Sequence, residues 1–266
     1  MPGLSPPPHL RDVRVLLDLL AALDRPGSPL RYDLLATFPH EGELHPLPRL
    51  VFSGPAAAHD PIRLALFGGL HGDEAASVLA PLAFLERLVA DPARATGYTL
   101  TVYPLCNPVG YARSTRNNGA DLDLNREFWR GSVQPEVIAL EGELSAREFD
   151  GIITLHADDT AEGVYGYTHG RVLNEALLEP ALRSAGYILP RDRRSQIDGF
   201  PARDGKIHAC FQGVLSAPPN RRPRPFELIF ETPALAPIEL QVEAAVTALD
   251  TILDEYRVFL AYAPNL

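Results

Sequence analysis

The chain of 266 residues is 46% hydrophobic and 22% charged, a composition typical of a globular protein rather than of a disordered one. Its formal net charge of −10 is spread along the sequence and argues against nucleic-acid binding, which requires clustered Lys and Arg. No run of 18 apolar residues is present, and the N-terminus lacks the pattern of a secretory signal, so we expect no membrane association and a cytoplasmic location.

Short apolar runs of strand length recur along the sequence, and amphipathic helical patterns follow several of them. In chain order we predict a helix at 11–27, antiparallel strands at 30–38 and 47–54, a strand at 61–70, a helix at 73–91, a strand at 98–108, a polar loop at 110–132, a helix at 135–148, a strand at 149–158, a loop with Tyr165 and Tyr167, a helix at 171–185, an irregular segment at 187–225, a strand at 225–233 and a helix at 237–260.

Strands that alternate with helices favour an α/β fold, and no repeat or linker divides the chain. We therefore predict one domain over residues 1–266, a three-layer sandwich with a mixed, mostly parallel twisted sheet and helices on both faces. In open α/β sheets, ligand-binding and catalytic residues lie beyond the carboxyl ends of the strands. The polar residues at those ends are therefore the candidates for a functional site.

Five polar residues fall just past the ends of the apolar runs: His71, Glu74, Asn107, His156 and Glu231. Two histidines and one carboxylate form the ligand set of a catalytic zinc site that leaves one position open. A second carboxylate, Glu231, is then available to accept a proton from a metal-activated water. Each residue also has a purely structural interpretation, because strand-end histidines are often capped and the helix dipole favours an acid at the position of Glu74.

The loop at 110–132 carries three arginines among asparagines and aspartates: Arg113, Arg116 and Arg126. A guanidinium can stabilise the oxyanion of an amide-hydrolysis transition state, and a second one can bind a substrate carboxylate with two parallel hydrogen bonds. The alternative is an arginine–aspartate network that only holds the loop together.

Five short motifs carry a family resemblance that covers residues 62–233: GGLHGDE, NPVGYARSTR, DLDLNREF, LHAD and FETP. In this order and approximate spacing they resemble the zinc carboxypeptidases, whose relatives include murein peptide amidase and the aspartoacylase/succinylglutamate desuccinylase group. The resemblance implies a zinc carboxypeptidase-like fold, related to the phosphorylase/hydrolase-like folds, and one Zn²⁺ per chain.

The resemblance also implies the roles of the residues near the metal. His71, Glu74 and His156 would be the zinc ligands, and Asp123 would orient His71 through its second ring nitrogen. Glu231 would be the general base that later protonates the leaving amine.

For the substrate, the resemblance implies that Arg116 polarises the scissile carbonyl and that Asn125 and Arg126 bind the free carboxylate. The motif around Arg116 is imperfect because Gly119 lies earlier than usual, so Arg113 competes for the role of Arg116.

The sequence departs from the family in one place, since no tyrosine occurs at 188–255, where carboxypeptidases carry one on a mobile loop. Another side chain would have to cover the substrate. The candidates are Phe200, His208, Phe211, Tyr165 and Tyr167.

These features predict a zinc carboxypeptidase-like hydrolase that cleaves an amide bond next to a residue with a free carboxylate, with a small peptide as substrate. An N-acyl amino acid deacylase is the alternative, although the short sequence after the last helix leaves no room for the C-terminal β-domain of aspartoacylases. A non-catalytic metal-binding protein is a third reading. A preference for acidic substrates is a further hypothesis, based on Arg191, Arg193, Arg194 and Arg203.

Overall fold

A computed structural model of the protein describes residues 11–57, 60–169 and 171–262. Within these residues ten strands form one sheet. In chain order they are Leu30–His40 (β1), Glu43–Ser53 (β2), Ile62–Phe67 (β3), Tyr98–Tyr103 (β4), Gly151–Asp158 (β5), Tyr165–Thr168 (β6), Gln196–Ile197 (β7), Phe200–Arg203 (β8), Lys206–Ile207 (β9) and Phe226–Pro233 (β10).

The helices lie near predicted positions, except for one short helix at Pro108–Arg113 that was not predicted. They are Val13–Ala21 (α1), Ala75–Ala90 (α2), Pro108–Arg113 (α3), Pro135–Ala146 (α4), Arg171–Leu173 (α5), Glu179–Ala185 (α6) and Ile238–Tyr262 (α7). A π-helical turn joins α5 to α6, and short 3₁₀ turns lie at Pro92–Ala95 and Leu124–Arg126. None of the helices in the described part of the chain has both the length and the apolar character needed to cross a bilayer.

The sheet has the strand order β1-β2-β4-β3-β5-β10-β6-β9-β8-β7. Its four middle strands, β4, β3, β5 and β10, are parallel to one another, as expected for strands that are buried on both faces. The prediction of an α/β fold with a mixed sheet is confirmed. The prediction that the sheet is mostly parallel was wrong, since antiparallel pairs outnumber parallel pairs among the described strands. The reason is that β2 and β6 pair antiparallel with the outer strands of the parallel middle and that hairpins extend the sheet on both sides.

Helices cover both faces of this sheet. Alternate residues of β3 point to opposite faces, as the two-residue period of a strand requires. Leu64 and Leu66 belong to the larger hydrophobic core, which includes residues of α2, α6 and α7. Ala65 and Phe67 belong to a second core that includes residues of α4. The three layers predicted from the sequence are therefore present.

Three segments predicted as irregular contain regular structure. Tyr165 and Tyr167 lie in the strand β6, and the segment 187–225 contains β7, β8 and β9. The polar loop begins with α3, where Asn107 accepts a hydrogen bond from the Gly110 N–H (2.9 Å) and Pro108 occupies the first helical position. Asn107 therefore has a structural role as a helix cap.

Candidate metal centre

The carboxyl ends of β3, β5 and β10 bring the predicted site residues to one edge of the sheet. His71 and Glu74 follow β3, whereas His156 and Glu231 lie near the ends of β5 and β10. His156 and Glu231 are register partners on these neighbouring parallel strands. Because alternate residues of a strand share a face, the register places both side chains on the same face of the sheet.

The turn that carries His71 depends on two glycines. Gly69 has a φ of +65°, in the left-handed region that favours glycine. A Cβ atom on Gly72 would lie 1.9 Å from the carbonyl carbon of Gly110, so any larger residue would push the turn away from α3. The GG and HG pairs of the sequence thus allow the turn to fold tightly against its neighbours.

The side chains of His71, Glu74 and His156 converge and are all buried. The Nδ1 atom of His71 lies 2.6 Å from Glu74 Oε1, and the Nδ1 atom of His156 lies 2.9 Å from Glu74 Oε2. The two Nδ1 atoms lie 3.2 Å apart. Ligand atoms around a tetrahedral zinc with bonds of about 2.0–2.1 Å lie roughly 3.3 Å apart, so the two Nδ1 atoms are near that separation and the two carboxylate contacts are shorter. The donor set therefore fits a zinc ion.

Electrostatics keep Glu74 in the ionised form that metal binding requires. Burial alone would raise the pKa of Glu74, but the two adjacent imidazoles hold it well below its ordinary value. Burial would lower the pKa of His71, whereas the carboxylates of Glu74 and Asp123 raise it to about 9. Burial lowers the pKa of His156 despite its contact with Glu74. In addition, the Ala157 N–H donates to Glu74 Oε2 (3.1 Å) and fixes the carboxylate.

Asp123 lies behind His71, at the position that the resemblance implies. Its Oδ1 atom is 3.0 Å from His71 Nε2, so the ring presents Nδ1 to Glu74 and His156. Oδ1 also accepts the Asn125 N–H (2.9 Å), which ties Asp123 to the 3₁₀ turn that follows it. A carboxylate on the second nitrogen fixes the tautomer and orientation of a metal-binding histidine.

Arg116 extends over the same cluster from the polar loop. Its guanidinium donates to Asp123 Oδ2 (3.1 and 3.3 Å) and lies 3.5 Å from Glu74 Oε1. The Arg116 side chain is 46% exposed and lines the same cavity as the candidate metal ligands. Asp123 therefore holds the guanidinium in place while its charge stays accessible to a molecule in the cavity. The guanidinium is placed to contact an oxygen of a bound substrate.

Asn125 and Arg126 lie on the neighbouring wall of this cavity. Asn125 is buried, with Nδ2 3.4 Å from His156 Nε2, and its Oδ1 accepts the Leu215 N–H (2.9 Å). The Arg126 guanidinium stacks on the ring of Phe211 at 4.2 Å and donates to the Asn125 carbonyl (2.8 Å). No acidic side chain in the described part of the chain pairs with Arg126, which leaves its charge available to an anion.

Glu231 faces a cavity of about 490 Å³ that also contains the three candidate metal ligands, Arg116, Asn125 and Arg126; we call it the metal cavity. Burial, together with the nearby negative charge of Glu74, raises the pKa of Glu231 well above its ordinary value. A raised pKa suits a group that accepts a proton and later returns it.

Other predicted candidates lie elsewhere. Arg113 forms an ion pair with Glu41 on the surface and does not line the metal cavity, so Arg116 alone of the two competing arginines faces the cluster. Of the five candidates for covering the substrate, Tyr165, Tyr167 and Phe211 line the cavity, whereas Phe200 and His208 do not.

The structure does not support the hypothesis that arginines of the segment 187–225 select acidic substrates. Arg191 is paired with Glu179, and Arg194 is paired with Asp192. None of the four arginines proposed for this role lines the metal cavity: Arg191, Arg193, Arg194 and Arg203.

The sequence interpretation missed one part of the cavity wall. Tyr165 donates to Asp158 (3.0 Å), and Tyr167 donates to Asp198 (2.7 Å), so that two carboxylates are held beside Glu231. The signal was the alternation of tyrosines in the segment VYGYT, which is typical of a strand. Asp198 lies in a turn far along the chain, and no local pattern connects it with Tyr167.

The chain is similar to known proteins over part of its sequence and in its fold. The family model of the succinylglutamate desuccinylase/aspartoacylase catalytic domain matches residues 60–158. A search of curated proteins finds no match. A protein from Shewanella amazonensis SB2B, named as a proposed metallopeptidase, is 26% identical with a TM-score of 0.78, covering 92% of this chain and 93% of that one.

Two metallo-carboxypeptidases of known structure share the fold at lower identity. The protein from Burkholderia cenocepacia is 17% identical with a TM-score of 0.73, covering 93% of this chain and 69% of that one. The protein from Pseudomonas aeruginosa is 17% identical with a TM-score of 0.66, covering 90% of this chain and 68% of that one.

Proposed function

We propose that this chain is a zinc-dependent hydrolase that cleaves an amide bond next to a residue with a free carboxylate. Its resemblance to the zinc carboxypeptidases and their aspartoacylase relatives, which the comparisons confirm, supports this proposal. The observation that carries the proposal is the convergence of His71, Glu74 and His156 beside Glu231 in one cavity. The continuous sheet from β1 to β10 supports a single catalytic domain.

A zinc ion held by His71, Glu74 and His156 would polarise the scissile carbonyl and lower the pKa of the attacking water. Glu231 is the proton acceptor in this reaction, because its buried carboxylate faces the same cavity and makes no side-chain hydrogen bond within the described residues. The proton that Glu231 accepts then passes to the leaving nitrogen.

The two arginines of the cavity have separate tasks in this proposal. Arg116, held by Asp123, stabilises the negative charge that develops on the carbonyl oxygen. Arg126 binds the free carboxylate of the substrate, with Asn125 beside it, because its charge has no acidic partner among the described side chains.

The direct test compares Glu231→Gln with the wild type on short N-blocked dipeptides. Glutamine is close in size to glutamate but cannot accept the proton. The substitution should therefore lower kcat/KM by about 10²- to 10⁴-fold while zinc content stays at one per chain. Glu86→Gln, an exposed glutamate on the outer face of α2, is the matched control and should retain full activity. Turnover by Glu231→Gln at the wild-type rate, or turnover that resists a chelator, would exclude this mechanism.

A second candidate function is the deacylation of an N-acyl amino acid, which the match to the aspartoacylase-type family model supports. The same site would serve, with an acyl group in place of the peptide. Parallel assays with N-acetyl-aspartate, N-succinyl-glutamate and N-blocked dipeptides separate the two candidates. Turnover confined to the acyl amino acids would make the deacylase the correct function.

The third reading, a protein that binds metal without turnover, is opposed by the presence of a residue for every catalytic role. Stoichiometric zinc binding together with no hydrolysis of any of these substrates would favour it.

A further inference from the structure

Arg11 lies two residues before α1, and its guanidinium contacts the turn that connects β3 to α2. It donates to the carbonyl oxygens of Gly72 and Asp73, the second at 2.7 Å. These are the two residues between the candidate ligands His71 and Glu74. Arg11 therefore contacts the main chain of the segment that supplies two of the three candidate metal ligands.

The same guanidinium also contacts α3. It lies 5.0 Å from the centre of the Tyr111 ring, which is fully buried, and 3.4 Å from the Tyr111 carbonyl oxygen. A guanidinium at this distance from an aromatic face makes a favourable cation–π contact. Because α3 begins the polar loop that continues to Arg116 and Asp123, Arg11 joins the turn after β3 to the base of that loop.

The start of α2 does not have the side-chain cap that commonly holds a helix N-terminus. Glu74 occupies the N-cap position, where a side chain often accepts a hydrogen bond from the first turn of the helix. Its carboxylate makes no such bond and instead contacts His71 and His156. The side chain that could hold the start of α2 is thus committed to the metal cluster, and other residues have to hold the turn.

Ser77 and Arg11 hold different parts of this turn. The Ser77 hydroxyl accepts the Gly69 N–H (3.1 Å) and donates to the Glu74 carbonyl (2.7 Å), which ties the two ends of the turn together. The middle of the turn is held from outside. Within the described residues, the Gly72 carbonyl accepts a hydrogen bond from Arg11 alone.

We propose that Arg11 is a positioning residue of the metal centre, which holds the turn between His71 and Glu74 in the conformation that brings both side chains to the metal. This inference rests on the proposed function. Ligands that are already in place lose less conformational entropy when the ion binds, so the affinity is higher. Arginine suits this task because its planar guanidinium can donate to two neighbouring carbonyls in a fixed geometry.

The first test is Arg11→Met, which keeps a long unbranched side chain but removes the charge and every donor. The zinc affinity of the full chain, measured by competition with a chelator, should fall by about tenfold or more, as for other residues that orient metal ligands. Arg14→Met is the matched control, because Arg14 is exposed on α1 and its variant should keep the wild-type affinity. Wild-type zinc affinity in Arg11→Met would overturn the proposal.

A purely structural role, in which Arg11 only attaches α1 to the rest of the domain, predicts a different result. It would lower the melting temperature but leave the zinc affinity of the folded protein unchanged. Circular dichroism therefore follows the thermal unfolding of each variant, and zinc affinities are compared at a temperature at which the variants are folded. A lower melting temperature together with wild-type affinity would contradict the positioning role.

Arg11→Lys is a second variant that keeps the positive charge. An ammonium group can still donate to a carbonyl, but it lacks the planar fork that holds two of them. The zinc affinity of Arg11→Lys should therefore lie between those of the wild type and Arg11→Met. If Arg11→Met does not fold, Arg11→Lys is compared with the wild type alone, and equal affinities would overturn the proposal.

Kinetics at saturating zinc separate metal positioning from substrate binding. The KM of Arg11→Met for an N-blocked dipeptide should stay at the wild-type value, because Arg11 does not line the metal cavity, whereas Arg126 does. A raised KM with unchanged zinc affinity would assign Arg11 to substrate binding instead. If the wild type binds zinc but hydrolyses no substrate, the proposed function fails, and the zinc affinity of Arg11→Met still decides this inference.

Discussion

The two sides of the candidate site are built differently. The parallel centre, strands β4, β3, β5 and β10, has pairings of four to eight residues and positions the three candidate metal ligands and Glu231. The wing, residues 165–216, has strands of two to four residues and carries one wall of the metal cavity. His156 and Glu231 thus lie on long, buried strands and His71 and Glu74 lie just beyond one, whereas the wing wall of the cavity lies on a segment with little regular structure.

Different forces hold the two regions in place. The centre is stabilised by burial of apolar side chains on both faces of its strands. The wing buries a smaller hydrophobic cluster that includes Tyr167, Ile197 and Ile207, and the ion pairs of Glu179 with Arg191 and Lys206 add to its stability. We therefore expect substitutions in the centre to abolish zinc binding or hydrolysis, and substitutions in the wing to have smaller effects on stability and specificity.

The strongest test of the centre is His71→Ala. Two remaining ligands cannot replace the set of three, so zinc content should fall from about one per chain to near zero and hydrolysis should be abolished. Elemental analysis of the dialysed protein and the dipeptide assay measure both effects. The matched control is His208→Ala in the wing, which lies outside the metal cavity and should keep its zinc. Zinc retained by His71→Ala would mean that the metal is bound elsewhere.

A weaker perturbation of the centre is Asp123→Asn, which keeps the size of the side chain but removes its charge. The contact with His71 Nε2 then no longer favours the tautomer that presents Nδ1 to the metal. Zinc affinity should fall by about 10- to 100-fold, as measured by competition with a chelator.

The control for this change is Asp121→Asn, the same substitution on the same loop. Asp121 accepts hydrogen bonds from Asn117 and has no contact with His71. Equal losses of zinc affinity in the two variants would show that loop folding, and not the orientation of His71, accounts for the effect.

The centre could be predicted from the sequence and the wing could not, for a physical reason. The segments that form β3, β5 and β10 are continuous apolar runs, which can be recognised from the local sequence alone. Because functional residues of α/β sheets lie at the carboxyl ends of the strands, His71, His156 and Glu231 could be predicted to lie together. The structure places the three at one edge of the sheet, as that rule predicts.

The wing lacks such local signals. Strands of two residues, such as β7 and β9, have too few positions to show a period. The contacts of Tyr167 with Asp198 and of Glu179 with Lys206 join residues that are about 30 apart in sequence. Likewise, the choice between Arg113 and Arg116 depended on the fold of the loop, because both arginines lie in one polar segment and only the structure shows Arg113 paired with Glu41.

The smallest expected effect concerns the stability of the wing. Hydrogen bonds from Arg191, and then from Lys206, lower the pKa of Glu179 to about 2 although burial opposes this. A carboxylate whose pKa is lower in the folded state stabilises the fold at pH values above its unfolded pKa of about 4.3 and loses that contribution as the pH falls toward 2.

Glu179→Gln should therefore lower the free energy of unfolding by about 1 kcal/mol at pH 7, a value typical of partly exposed ion pairs. The difference from the wild type should shrink as the pH falls below about 4, as measured by urea denaturation at several pH values. Because Glu179 does not line the metal cavity, zinc content should not change. A difference in stability that stays constant from pH 7 down to pH 3 would show that the ion pairs of Glu179 do not hold the wing.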